Sequence, residues 1–197
     1  MKKIILTISL TIGASAFAQT GIQLGQPTFG GNGCPAGTAS ATLSADNSAV
    51  SILFDEYIVE SGRPTNRRLD RKSCNVSVPV IVPQGYSVAV FKVDYRGYNS
   101  LARGATSQFN VEYFFAGSQG PRYTKNFTGP LDDEYMITNN LVAQSLVWSE
   151  CGRQVILRAN SSMKNTANSR MDQTLSTVDS ADVQAGLVYH LQWRRCR

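Results

Sequence analysis

Three stretches of the chain alternate apolar and polar side chains with a period of two. Val76, Val78, Val80 and Val82 alternate with Ser77, Pro79 and Ile81; Phe109, Val111, Tyr113 and Phe115 alternate with Asn110, Glu112 and Phe114. Leu187, Tyr189, Leu191 and Trp193 alternate with Val188, His190, Gln192 and Arg194. Successive strand side chains point to opposite faces, so each stretch reads as a half-buried β-strand. Further strands are expected at Ala39–Leu43, Ala49–Phe54, Tyr86–Tyr95, Arg122–Phe127, Glu134–Ile137, Gln144–Trp148 and Arg153–Asn160. Turn chemistry separates them: Ala45-Asp46-Asn47, Pro83-Gln84-Gly85, Gly117 to Pro121 and Gly129-Pro130. Pro79, which lacks an amide proton, predicts an edge or a bulge in its strand. No segment carries a long helical stripe, and Asp179 to Asp182 caps a single turn at most. Many short strands joined by turns imply an all-β fold, an antiparallel β-sandwich of jelly-roll-like character.

Composition narrows the class. The chain has 197 residues, 42% hydrophobic and 17% charged, which is globular and matches one domain. Residues 1–18 do not belong to that domain. Lys2 and Lys3 precede a short apolar run from Ile4 to Gly13, and Ala16-Phe17-Ala18 ends it with small residues where a signal peptidase cuts. Cleavage leaves Gln19 as the first residue of a single exported sandwich domain over 19–197. The run is shorter than the roughly 20 apolar residues that span a bilayer, and no second stretch of that length follows, so no transmembrane segment is expected in the mature chain. Losing the leader removes two lysines and no acids, which lowers the net charge from +5 to +3. A charge that mild, on an exported protein, argues against a nucleic-acid partner.

Export gives the cysteines their meaning. Cys34, Cys74, Cys151 and Cys196 are the whole set, and the two nearest are 40 positions apart, unlike the close pairs of zinc sites. An oxidising compartment, secreted or periplasmic, makes them two disulfides. Of the three pairings, Cys151–Cys196 with Cys34–Cys74 is favoured, because Cys151 precedes one strand and Cys196 ends another that antiparallel pairing would bring together. Cys34 would then pin a Gly-rich arm, Gly30 to Gly33, to the Val76 strand. On this view breaking Cys151–Cys196 unclamps a core strand and costs more than breaking Cys34–Cys74.

Candidate chemistry is sparse. His190 is the sole histidine, so two-imidazole zinc sites are excluded, and its mid-strand place favours a solvent-facing or satisfied histidine over a catalytic one; four oxidised thiols leave no cysteine nucleophile. No catalytic residue, metal ligand set or cofactor motif is assigned. Asp132-Asp133-Glu134 groups three carboxylates but lacks the alternating spacing of a calcium loop, which favours a solvated turn. Asp55, Glu56 and Glu60 form a second acidic group that, like the first, could serve glycoside hydrolysis only at the right separation. Arg63, Arg67, Arg68, Arg71 and Lys72 form a basic loop whose guanidinium groups suit anionic polymers or lipid head groups; the plain alternative is a solvated connection. Tyr57, Tyr95, Tyr98, Tyr123 and Tyr135 lie near turns, where exposed rings could stack on sugars or instead pack over sheet edges. Arg67, Arg68, Tyr95 and Tyr98 are the ligand-binding candidates. Asn75-Val76-Ser77, Asn126-Phe127-Thr128 and Asn160-Ser161-Ser162 match glycosylation acceptors, which a bacterial setting would leave empty.

Gly31 to Thr38 and Asn47 to Asp55 resemble the opening of an uncharacterised family of small secreted proteins, the DUF4360 group of bacteria and fungi. The resemblance continues through Arg71 to Val76, Tyr95-Arg96-Gly97, Val147-Trp148-Ser149 and Leu191 to Cys196, and so covers nearly all of the mature chain. It implies export and a single domain, and carries no established activity or site residues. The expected function is therefore a non-enzymatic binding or surface-interaction module for a polysaccharide or other cell-envelope component. A secreted carbohydrate-active enzyme using Asp55, Glu56, Asp132 or Asp133, and a purely structural envelope protein, are the alternatives.

Overall fold

The computed structural model describes residues 23–46, 48–140, 146, 148–178 and 187–196. The expected leader over 1–18, the single turn expected at Asp179 to Asp182 and most of the expected Gln144–Trp148 strand lie outside them. The chain folds into two antiparallel sheets that face each other, as the alternating pattern predicts. The front sheet holds β1 (Gln23–Leu24), β6 (Leu69–Ile81), β11 (Val155–Thr166), β8 (Thr106–Phe115) and β9 (Arg122–Thr128) in that order, with β2 (Thr28–Gly30) also pairing β6. The back sheet is built around the 16-residue β7 (Tyr86–Leu101). One side of β7 pairs β10 (Leu131–Asn140). Its other side pairs first β13 (Leu187–Arg195) and then β12 (Thr174–Thr177). Beyond these lie β4 (Ala49–Phe54), β3 (Ala39–Leu43) and β5 (Ile58–Ser61).

The core lies between the sheets and is assembled from alternate residues of each strand. Val50, Ile52 and Phe54 of β4 meet Val76, Val78 and Val80 of β6, Phe109, Val111, Tyr113 and Phe115 of β8, and Leu157, Ala159 and Met163 of β11. The expected inward phases of β6 and β8 are therefore the observed ones. Pro79 sits in β6, where its carbonyl accepts a bond from the Gly25 amide 2.8 Å away, on the side of the short β1. The N and C=O of one strand residue point the same way, so the missing proton falls on this nearly open side and no bond to β11 is lost.

Both disulfides form with the expected pairing, Cys34–Cys74 and Cys151–Cys196, and no described cysteine is free. Their settings differ from expectation. Cys34 and Cys74 are both fully buried in the core, while Cys151 is exposed and Cys196 half-buried. The Gly-rich arm is docked as well as pinned: Gly33 donates to the Ser73 carbonyl at 2.9 Å, and the Asn32 side chain bonds the Ser73 amide and the Arg71 carbonyl.

One unassigned stretch and part of one expected loop prove to be strand. β7 runs on through Tyr95-Arg96-Gly97 to Leu101, placing Val93, Tyr95, Gly97, Asn99 and Leu101 on the buried side. Gly97 is required there because the Tyr135 ring and the Thr177 carbonyl occupy the space a Cβ would take; the Tyr135 hydroxyl donates to that carbonyl at 2.8 Å. The basic segment is likewise only partly loop. Gly62 at φ 108°, a single 3-10 turn at Arg63–Thr65 and left-handed Asn66 make a tight corner, and β6 begins at Leu69. Arg71 and Lys72 are strand residues.

Candidate functional site

The register of the front sheet places residues far apart in sequence into rows on its outer face. Asn75 of β6 pairs Asn160 of β11, which pairs Glu112 of β8, which pairs Arg122 of β9. Two positions along, Ser73, Ser162, Asn110 and Thr124 form the next row, and Arg71, Lys164, Gln108 and Asn126 the one after. Short side chains thus lie between two rows of longer ones, which makes a trough running across the strands. A hollow of about 300 Å³ occupies it, with Ser73, Ser162 and Asn110 as floor, Arg71 on one wall and Asn75, Asn160, Glu112 and Arg122 on the other.

Side-chain bonds set part of this surface in place. Thr124 donates to Asn110 Oδ1 at 2.7 Å, Asn110 Nδ2 donates to Gln108 Oε1 at 3.2 Å, and Gln108 Nε2 donates to Asn126 Oδ1 at 2.8 Å. Arg122 and Glu112 form an ion pair at 3.3 Å, the arginine side chain 70% exposed. The backbone beneath is firm, because β6, β11 and β8 pair along most of their lengths. The groove therefore offers amide donors and acceptors, hydroxyls, two guanidinium groups and one carboxylate on a rigid sheet. Among the described residues no aromatic ring lines it. All three glycosylation-type asparagines, Asn75, Asn126 and Asn160, sit exposed on this face.

Of the candidates read from the sequence, the structure brings few to this groove. Tyr95 is wholly buried, edge-on to Phe109 at 5.2 Å between centroids and stacked on Tyr123 at 5.9 Å, so its ring is not offered to a ligand. Its place on the inner phase of β7, rather than at a turn, is the reason. Tyr135 is a core residue for the same reason, on the inner phase of β10, whereas Tyr57 is buried from the bend between β4 and β5. Tyr98, one position out of phase with them, stands on the outer face of the back sheet and donates a hydrogen bond to Asp132, which raises its pKa. Arg67 and Arg68 are exposed at the corner before β6; Arg67 pairs with Asp70 at 3.3 Å.

The acidic groups do not assemble. Asp132, Asp133 and Glu134 belong to the edge strand β10 rather than to a turn, and strand alternation turns Asp133 away from its neighbours. Asp55 and Glu56 are exposed between β4 and β5, and Glu60 accepts a bond from Gln173 at 2.8 Å. Among the described residues no three His, Cys, Asp or Glu side chains come together to hold a metal ion. The His190 side chain lies outside what the structure describes. A second hollow of about 380 Å³ lies between the β8–β9 hairpin and the segment from Trp148 to Ile156, but the Arg194 guanidinium covers the Trp148 ring at 4.1 Å from its centre.

Sequence reasoning missed the groove because no residue in it is distinctive alone. The available signal was the polar phase of three strands: Ser73, Asn75 and Ser77; Gln108, Asn110 and Glu112; and Asn160 with Ser162.

Comparison with known proteins adds a family. Residues 20–196 match the family described as domain of unknown function DUF4360, and the chain belongs to it. It is also similar to a protein of Arthroderma benhamiae named "Uncharacterized secreted protein", at 34% identity over 170 residues, covering 86% of this chain and 69% of that one.

Proposed function

We propose that this DUF4360 protein is a secreted, non-enzymatic binding module that holds a polysaccharide or other cell-envelope glycan in the trough on the outer face of its front sheet. The observation that carries this reading is the groove lining: side-chain amides and hydroxyls converge on a rigid face, the chemistry that matches a surface of sugar hydroxyls. Secretion is supported by the leader, by the two disulfides and by the printed name of the fungal relative. The lining contains a single carboxylate, Glu112, already paired with Arg122, so the two-carboxylate arrangement of glycoside hydrolysis has no counterpart in it. Arg67 and Arg68 stand at the corner from which β6 carries Arg71 into the groove, and would extend the same contact surface.

The test removes two amides that are exposed and directly paired across β6 and β11. Asn75→Ala with Asn160→Ala leaves the core untouched. A hydrogen bond contributes roughly 0.5–1.5 kcal/mol net, so losing two or three should weaken glycan binding at least about 5-fold. Screening the purified protein and this variant against immobilised polysaccharides, with melting temperature as control, decides the matter. Binding that is unchanged in a stably folded variant places the ligand elsewhere, and no binding to any glycan rejects the reading.

A further inference from the structure

The outer face of the front sheet is more cationic than the molecule as a whole. Its four main strands present Arg71, Lys164, Arg158 and Arg122 outward, against one carboxylate, Glu112. On the facing ladder of the back sheet, β7 and β10 show outward Lys92 and Arg96 against Asp94, Asp132 and Glu134. The basic excess therefore sits where the groove is. Resting on the glycan-binding reading above, we infer that the groove selects anionic polysaccharides, whose sugar hydroxyls meet the asparagine and serine floor while carboxylate or sulfate groups meet Arg71 and Arg122.

Three features support the selection. The groove lining has no ring among the described residues, so it lacks the stacking surface on which neutral sugars depend for apolar contact. Guanidinium groups present planar forks that match carboxylate and sulfate, and bonds to ionised groups are about twice as strong as neutral ones. The spacing also suits a polymer. Arg71 and Arg122 are three strands apart and four residues out of register, which is about 19 Å diagonally across a flat sheet. A single small anion cannot bridge that distance, whereas a charged polymer can engage both ends. Arg122 is held toward the groove by Glu112, and an exposed pair of that kind contributes little, so an incoming anion can compete for the guanidinium at small cost.

The experiment compares matched ligands on the mature protein. Polygalacturonate is set beside its carboxyl-reduced neutral form, and dextran sulfate beside dextran, with duplex DNA as a polyanion without exposed sugar hydroxyl rows. The acidic member of each pair should bind at least about 10-fold more tightly. Arg71→Gln with Arg122→Gln should remove most of that preference, and raising NaCl from about 50 to 500 mM should weaken the acidic ligands only. Preference for polygalacturonate alone assigns carboxylate as the charge that is read, and preference for dextran sulfate alone assigns sulfate. Equal, salt-insensitive binding of neutral and acidic members, lost in the asparagine variant, overturns the anionic inference and keeps the glycan site. DNA bound as tightly as the acidic glycans overturns it in favour of charge alone. Failure of every glycan overturns both.

Discussion

Replacing the cysteines pairwise by alanine separates the two disulfides by their surroundings. They enclose nearly equal stretches of chain, with sequence separations of 40 and 45. The chain-entropy relation assigns about 4 kcal/mol to each, differing by roughly 0.1 kcal/mol, so loop length cannot rank them. Burial can. Cys34 and Cys74 are at 0% exposure, packed among core residues, and truncating each removes one buried heavy atom. Deletions of that size cost about 0.5–1.5 kcal/mol apiece through lost transfer energy and the void left behind. Cys151 is exposed and Cys196 half-buried, so truncation there opens little void. Cys34→Ala with Cys74→Ala should therefore destabilise by about 1–3 kcal/mol more than Cys151→Ala with Cys196→Ala. This reverses the order that strand position alone suggested, because the N-terminal bridge belongs to the core and does not merely tie down an arm. Urea unfolding followed by circular dichroism gives both free energies, each variant extrapolated with its own slope, since an uncrosslinked denatured chain exposes more surface. Equal losses, or a larger loss for the Cys151–Cys196 pair, would refute the reasoning.

Two smaller predictions follow from the surface. Arg67→Ser with Arg68→Ser should change stability by less than about 0.5 kcal/mol, because the corner is held by bonds from the Gly62 and Ala167 amides to backbone carbonyls of these residues, which the substitutions retain; a melting-temperature drop of several degrees would contradict this. Asp46 accepts bonds from the Ser44 and Ser48 hydroxyls and the Ser48 amide, which hold its pKa at about 2 against an ordinary 3.8. A carboxylate depressed in the folded state stabilises above its ordinary pKa and loses that contribution as pH falls through the folded value. The stability gap between the native chain and Asp46→Ala should thus be constant near neutrality and narrow between pH 4 and 2; a gap that does not change with pH removes the ionised carboxylate from the account.

Strand phase was legible wherever an apolar residue marked every second position, as in β6 and β8, and the disulfide pairing followed from strand adjacency. It failed where the inward phase was carried by other residues. In β7 the buried positions after Val93 are Tyr95, Gly97, Asn99 and Leu101, so the run looks like a polar turn with a glycine. Asn99 is tolerated inside because Ser176 donates to its carbonyl oxygen at 2.6 Å and itself contacts Ser107 at 3.0 Å, a polar link joining the two sheets. The groove was less legible still. Its members, near residues 73, 110, 122 and 160, meet only through the register of four strands, and no local pattern encodes that register.

The placement of the tyrosines bears on the polar recognition proposed above. Tyr57, Tyr95 and Tyr135 are buried between the sheets, and Tyr113 and Tyr123 join them from the front sheet. Three of these hydroxyls are absorbed internally: Tyr57 bonds Ser161 at 3.2 Å, Tyr135 donates to the Thr177 carbonyl, and Tyr113 accepts from Asn139 at 2.7 Å. Burial raises the pKa of Tyr57, Tyr113 and Tyr135, so they remain neutral phenols and place no charge between the sheets. These rings fill a core that the many small valine and alanine side chains would leave thin, and rings so used cannot serve as outer stacking platforms. In the groove lining the remaining vocabulary is amide, hydroxyl, guanidinium and one carboxylate, while Phe114 of β8 stands on the same face one row beyond it, opposite Arg158. The proposal of a partner rich in hydroxyls and anionic groups rests on that vocabulary, since each bond to an ionised group gains more than the neutral bond to water that it replaces.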